Sequence, residues 1–398
     1  MLNIIMYSYK IKCIKLSLPT IQLDIVKRNN ITIADNKYNI LLNESKNKID
    51  KYYIDNLWDK TKKICNPYEL IYITNKKTRN KSMALYEPLS RSYFKMIELS
   101  HIFLKEYYNM NYISTKINVK SLHLAEGPGG FIEAWNYFRN YNMNDKIYGM
   151  TLIDKNKDIP GWSKTCKYLK NNKINIISGI DGTGNLYNYK NILYLVNRLG
   201  KHTVDIITGD GGFDFSISYN MQELYASKLI FCQVLAAIKC QKKGGTFICK
   251  FFDTNNILTI QILYLLQCLY KEITFYKPFT SRVANSEKYI VCSDYIEEID
   301  DNYWNRLLSI LLIWNNIDNE YKIINNIFQQ IPNSFINYIS NLNHKIINTQ
   351  ILQINKTISI IEDKPLSEWY INNRELQINN AIKWCKKFNI SFRSEYII

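Results

Sequence analysis

Between about residue 89 and residue 298, short apolar runs alternate with longer segments whose apolar residues recur every three to four positions. The runs SLHLAE, KIYGMTLID, INIIS, TVDIITGD and GGTFICK read as buried strands, and the segments between them as helices. Such alternation predicts a parallel sheet with helices on both faces. The last two strands, EITFYKP and KYIVCSD, stand roughly ten residues apart, too few for a helical crossover, so they are expected to pair antiparallel. Residues 1–88 mix short apolar runs with the lysine-rich stretches KNKIDKYY and TNKKTRNKS, and read as an N-terminal α/β accessory region. Residues 299–398 carry periodic apolar segments, NRLLSILLIWNNI and EYKIINNIFQQI, that predict a helical extension. A closing helix is expected within SEWYINNRELQINNAIKWCKKFNI.

Composition changes this picture in three places. The uncharged stretch Thr254–Tyr270 is short for a membrane crossing and contains Asn255, Asn256, Gln261 and Gln267, so a buried helix is expected and no membrane partner. The N-terminus MLNIIMYSYKIKC has lysines inside its apolar run and no small-residue cleavage site, which argues against a signal peptide. Nine cysteines without a CxxC pair fit reduced thiols in an intracellular compartment, the cytoplasm or, for a viral source, a virion. The four histidines lack metal-ligand spacing, so no zinc site is expected. Finally, 51 basic against 35 acidic side chains give +16, a field that attracts polyanions such as nucleic acid.

The first strand of the core runs straight into Gly127-Pro128-Gly129-Gly130-Phe131, and the helix pattern FIEAWNYF follows. Glycines at a strand-to-helix turn let backbone approach a ligand and present amides at a helix N-terminus. The loop is not GxGxxG, which favours S-adenosylmethionine over a nicotinamide dinucleotide. Asp154, after YGMTLI, is placed to accept from ribose hydroxyls, and Asp181, in ISGIDGTGN, to meet an adenine amino group. Asp210 follows the fourth strand in ITGDGGFDFS, and Lys250 ends the fifth in GGTFICKFF. Lys95 lies on an upstream helix, in SRSYFKMIEL, and Glu287 precedes the last strand. A lysine at the end of an apolar strand needs a partner, because burying a lone ammonium is costly, and Asp210 on the adjacent strand would supply it.

With these residues in place, the sequence resembles the FtsJ/RrmJ-like ribose 2′-O-methyltransferases, in particular their mRNA cap branch of eukaryotes and large DNA viruses. The segments that carry the resemblance are NPYELI (66–71), SRSYFKM (90–96), LAEGPGGFIEAW (124–135), YGMTL (148–152), DGTGN (181–185), TGDGGFDFS (208–216), FICKFF (247–252) and KPFTSRVANSEKYIVC (277–292). They occur in family order over roughly 66–292. The resemblance implies a Rossmann-like class I methyltransferase sheet, mostly parallel with an antiparallel C-terminal hairpin, over about 89–298. An N-terminal α/β extension and a C-terminal helical extension would flank it. It also implies a tetrad of Lys95, Asp210, Lys250 and Glu287, and a cofactor loop containing Glu126, Gly127, Gly129, Gly130 and Phe131. Many relatives carry aspartate where Glu126 stands; the carboxylate is preserved.

Methyl transfer from a sulfonium to a ribose oxygen needs in-line positioning and removal of the hydroxyl proton. Lys250 could serve as a base of depressed pKa or as a cation beside the developing alkoxide. No metal is required. The expected partner is RNA, in particular the 5′ end of capped mRNA, with other capping or transcription subunits. Structured or ribosomal RNA, or a non-catalytic RNA-binding or virion role on the same fold, are the alternatives. Lys76, Lys77, Arg79 and Lys81, with Tyr68 and Tyr72 upstream, offer phosphate and stacking contacts. Trp369, Trp384 and Lys383, Lys386 and Lys387 read as packing residues and a solvated face.

Overall fold

The structure is a computed structural model. It describes residues 7–12, 16–53, 56–73, 81–108, 116–156, 158–163, 165–212, 219–296, 298–317, 321–363 and 366–393, without the side chains of 12, 363, 366–370 and 372. The chain begins with strands β1 (Ser8–Lys12) and β2 (Ile21–Lys27) and helices α1 (Asn36–Asn47), α2 (Leu57–Ile64) and α3 (Ser92–Phe103). The alternating core follows: β3 (Lys120–Leu124), α4 (Gly130–Phe138), β4 (Lys146–Met150), α5 (Cys166–Asn171), β5 (Asn175–Ile176), α6 (Tyr189–Leu199) and β6 (Val204–Gly209). It continues through α7 (Gln222–Cys240), β7 (Gln241–Phe251), α8 (Ile257–Leu269), β8 (Tyr270–Tyr276) and β9 (Lys288–Tyr295). Last come α9 (Asp301–Asn315), β10 (Lys322–Phe328), α10 (Asn333–Asp363) and α11 (Leu366–Lys387).

Among the described residues the strands form an eight-stranded sheet, ordered β1-β8-β9-β7-β6-β3-β4-β5, and a two-stranded ribbon of β2 and β10. Strands β3 to β7 are mutually parallel where they pair; β9 runs antiparallel to both β7 and β8. The expected antiparallel final pair is therefore present, with β9 threaded between β7 and β8. One apolar core covers the face beneath α6, α7, α8 and α9, and a second lies under α3, α4 and α11. Both faces are buried, which explains why the core strands read as continuous apolar runs rather than as alternation. The uncharged stretch Thr254–Tyr270 is the buried helix α8 and its flanks. No helix among the described residues is long and apolar enough to cross a membrane.

Two elements depart from the sequence reading. Residues 322–328, expected to be helical, form β10. Their buried apolar residues Ile323, Ile324, Ile327 and Phe328 are spaced as on a helix face, with Asn325 buried between them. Register shifts against β2 around Asn326 produce that spacing, because a bulge sets extra residues on one side of a strand. The other is β1, which adds an eighth strand antiparallel to β8 (Ser8 opposite Tyr276). The flanking regions also pack on one another. His344 on α10 pairs with Asp35 at 2.7 Å, and Gln377 on α11 donates to the carbonyls of Lys63, Ile64 and Asn66 at the end of α2.

Candidate active site

The candidate residues gather beyond the C-terminal ends of the parallel strands, where open α/β sheets bind ligands. Asp210 directly follows β6 and Lys250 lies near the end of β7. The Lys250 ammonium stands 3.2 Å from Asp210 Oδ1 and donates to the Asp210 backbone carbonyl at 2.7 Å. Lys95, from α3, holds both carboxylate oxygens of Glu287, at 2.7 and 2.8 Å. All four side chains are only 12–14% exposed. The structure thus brings the expected four residues together as two ion pairs.

Charge coupling joins the pairs. Burial alone would raise the Glu287 carboxyl, but Lys95, Lys250 and Lys277 together hold it well below the usual carboxylate range. Burial works in the opposite sense on Lys250 and would lower its pKa, yet Asp210 and Glu287 outweigh it and raise the ammonium above its ordinary value. The resting Lys250 is therefore a cation at neutral pH. A low folded pKa for Glu287 means that its contribution to stability is full above its unfolded value of about 4.3 and is lost as pH falls below that. Acid titration of unfolding should show a shallower loss below that pH for Glu287→Gln than for the unsubstituted protein.

Three residues the sequence reading did not single out complete the network. Tyr289 faces Lys250 across the β7–β9 pair, and its hydroxyl donates to the same Asp210 Oδ1 at 2.7 Å. Ser281 donates to Glu287 Oε1 at 2.9 Å. Lys277, fully buried, donates to the Asn285 carbonyl, to Asn285 Oδ1 and to the Glu287 carbonyl, and so closes the loop that presents Glu287. Burial, with help from Lys288 and Lys95, pushes the Lys277 pKa down to about 7 against the pull of Glu287. On the same loop, Arg282 pairs with Glu69 of NPYELI at 2.8 Å, and Glu69 also pairs with Arg91 at 3.3 Å. Nothing in the sequence signalled this, because KPFTSRVANSE has the polarity of any loop between two strands.

The glycine loop shows a division of labour that differs from expectation. A Cβ on Gly127 would run into the Pro160 carbonyl, and one on Gly130 into the Ser90 and Ser92 hydroxyls. Both glycines are demanded by close protein packing. Gly129 has φ +111°, a left-handed conformation that side chains rarely adopt. Glu126 lies beneath the loop, nearly inaccessible, accepting from Thr208 and 3.2 Å from His123 Nδ1. Burial raises its pKa, and Asp210 adds to this, while His123 and Thr208 oppose. Its side chain therefore ties the end of β3 to β6 at the entry to the loop. Phe131 is fully buried and stacks on Tyr289 at 5.8 Å, so only its amide, in the first turn of α4, faces the site.

Asp154 is exposed in the loop after β4 and accepts the Asn156 amide at 2.8 Å. Asp181 is exposed and shapes its own turn. Its carboxylate accepts from Thr183 N at 2.9 Å, Thr183 Oγ1 at 2.7 Å, Asn188 at 2.7 Å and Asn191 at 2.9 Å. Three of these donors fall on Oδ1 and one on Oδ2, so the side chain shapes the DGTGN turn while its Oδ2 keeps capacity for a further donor from solvent or ligand. The same turn leaves Ile180 65% exposed beside Ile153 at 44%, since Ile153 N donates to the Thr183 carbonyl. Gly184, at φ +64°, has its Cβ direction blocked by the Thr151 carbonyl. Gly184→Ala should lose about 1–3 kcal/mol in urea unfolding, the usual cost of overpacking.

These features suit a nucleoside bearing a charged chain. The amides of the first turn of α4 can take a carboxylate. Asp154 can take ribose hydroxyls, and the exposed isoleucines Ile153 and Ile180 offer apolar surface for a base. Of the sequence-predicted basic stretch, Lys76, Lys77 and Arg79 lie outside the described residues, and Lys81 is exposed. Trp384 is buried against Phe94 and Phe388, as expected of a packing residue; the Trp369 side chain lies outside the described residues.

A mostly parallel sheet with β9 inverted between β7 and β8, a glycine loop after the first core strand and paired lysine–carboxylate groups beyond the strand ends define a class I methyltransferase. Residues 88–295 match the FtsJ-like methyltransferase family, over half of the chain, and the chain belongs to that family. It is 29% identical over 298 residues to a cap-specific mRNA (nucleoside-2′-O-)-methyltransferase 1 of Homo sapiens, covering 70% of this chain and 35% of that protein. A protein of the same name from Trypanosoma cruzi is 37% identical over 175 residues, covering 43% of this chain and 46% of that one. The chain thus spans about a third of the length of the mammalian relatives it matches. A solved structure of a putative ribosomal RNA methyltransferase from Plasmodium falciparum is similar at 20% identity and a TM-score of 0.37, covering 52% of this chain and 99% of that one.

Proposed function

We propose that the protein is an S-adenosylmethionine-dependent RNA ribose 2′-O-methyltransferase acting on the 5′-terminal nucleotides of capped mRNA. The observation that carries this reading is the pair of ion pairs Lys250–Asp210 and Lys95–Glu287, set at the strand ends beside the glycine loop. Similarity to proteins named as cap-specific mRNA (nucleoside-2′-O-)-methyltransferases supports the substrate. When bound, S-adenosylmethionine supplies an electrophilic methyl group. The α4 amides, Asp154, Ile153 and Ile180 would hold it, with Glu126 joining β3 to β6 where the loop begins.

Lys250, kept cationic by Asp210 and Glu287, offers an ammonium to the ribose oxygen as its charge develops, and the hydroxyl proton leaves to solvent water. Asp210 is aimed by Tyr289 and in turn fixes Lys250. Lys95 and Glu287 hold the second half of the network, and Ser281 fixes Glu287.

The test is transfer of labelled methyl from S-adenosylmethionine to capped and uncapped versions of one short RNA, with nuclease digestion to locate the label. Ribose label on capped RNA alone is the expected result. Equal label on both would move the substrate to structured or ribosomal RNA. Cofactor binding with no transfer to either RNA would point to the non-catalytic role.

A further inference from the structure

Helix α11 lies outside the family match, yet it is fixed to the site at one buried point. Glu98, fully buried on α3, accepts from the Trp384 indole of α11 at 3.0 Å and from the Phe279 amide at 2.7 Å. Phe279 stands two residues before Ser281, on the loop whose Ser281 hydroxyl holds Glu287. One carboxylate therefore locks the C-terminal helix and the Glu287 loop in a single register. The Phe279 ring remains partly exposed, with Tyr68 tilted against it at 5.0 Å. The Lys387 ammonium stands 5.2 Å from the ring centre. Lys383, one turn earlier on the same face, is exposed as well. Arg282 follows on the loop, still partly exposed although paired with Glu69.

This is an aromatic platform bordered by cations, leading from the tetrad loop onto an extension helix. Neutral stacking surface next to positive charge suits a single-stranded polyanion whose bases have faces to stack. Resting on the RNA reading above, we propose that the substrate strand runs from the tetrad across Phe279 and Tyr68 onto α11, where Lys383 and Lys387 meet its phosphates. The C-terminal extension is then part of the RNA-binding surface and not only a packing element.

The test is equilibrium binding of a capped, single-stranded oligoribonucleotide to the full chain over a series of salt concentrations, by fluorescence anisotropy. For single strands each phosphate contact contributes about 0.7 to the slope of log affinity against log salt. The Lys383→Ala/Lys387→Ala double variant should therefore flatten the slope by about 1.4, and Lys383→Arg/Lys387→Arg should restore it. Phe279→Leu, which keeps apolar volume, should weaken binding about 5- to 150-fold, the loss of one stacked base. Phe279→Tyr should bind as the unsubstituted protein does, and equal melting temperatures would exclude misfolding. If the protein binds the RNA and the lysine and Phe279→Leu variants match its affinity and slope, the surface is overturned while the RNA reading stands. If the unsubstituted protein binds no RNA, capped or uncapped, the RNA reading falls and this surface with it.

Discussion

Lys250→Ala is expected to reduce methyl transfer at least 10²- to 10³-fold while leaving S-adenosylmethionine binding intact. The magnitude is that of removing one preorganised group aimed at developing negative charge. The expectation follows from placement. The ammonium is held by two bonds to one residue, the Asp210 side chain and carbonyl, and is nearly excluded from water. A group so held costs little to reorganise as charge appears beside it. The pH dependence separates the two roles open to this lysine. A resting cation, its pKa raised by Asp210 and Glu287 against burial, predicts transfer that is flat through neutral pH and falls only where the ammonium is lost, above the ordinary lysine range. A neutral base in the free enzyme predicts a rise in kcat/KM through the alkaline range instead. Asp210→Asn removes the largest of the charges opposing burial, so it should bring the alkaline fall to lower pH. Activity of Lys250→Ala within a few-fold of the unsubstituted protein would dismiss both roles.

Much of this arrangement could be read from residue order, for a physical reason. Strands buried on both faces must be short apolar runs, and the residues just beyond them must be polar, since that is where the sheet meets water. Asp210 and Lys250 stood out by that rule alone. Lys95 and Glu287 did not, because a helix lysine and a loop glutamate are ordinary; only the family resemblance singled them out. Asp181 shows the limit of position as a guide. It lies beyond the third core strand, where a nucleoside ligand would meet it, but position did not foretell that Thr183, Asn188 and Asn191 all bond its carboxylate and build a turn around it. Their spacing, two, seven and ten residues on, gives no periodic signal. Tyr289 was hidden differently: its neighbour Asp210 is distant in sequence and meets it through the antiparallel insertion of β9 beside β7. Strand β10 misled because its bulges imitate helical spacing.

The largest stability effect is expected away from the tetrad, at Asp145. Arg139, at the end of α4, is fully buried and bonds both oxygens of Asp145, at 2.6 and 3.1 Å. It also donates to the carbonyls of Tyr107 and, at 2.8 Å, Lys116. Asp145 Oδ1 accepts the Val119 amide at 3.0 Å, one residue before β3 begins. Asp145→Ala therefore leaves a buried guanidinium without its counter-charge and an amide without its acceptor. Breaking such a pair on one side costs about 3–5 kcal/mol, measurable as a shift in the urea midpoint at unchanged slope. Asp145→Asn, which keeps the shape and one acceptor, should lose less. The Arg139→Met/Asp145→Leu double variant should also be more stable than Asp145→Ala alone, because removing both charges spares the desolvation of either. If instead the three variants unfold alike, the pair contributes packing and not charge compensation. The position matters to function through the chain itself. Arg139 ends the helix that Gly130 begins, and Asp145 sits between that helix and β4. Loosening this pair should therefore weaken S-adenosylmethionine binding before the fold is lost, and affinity measured for Asp145→Asn at low denaturant would reveal it.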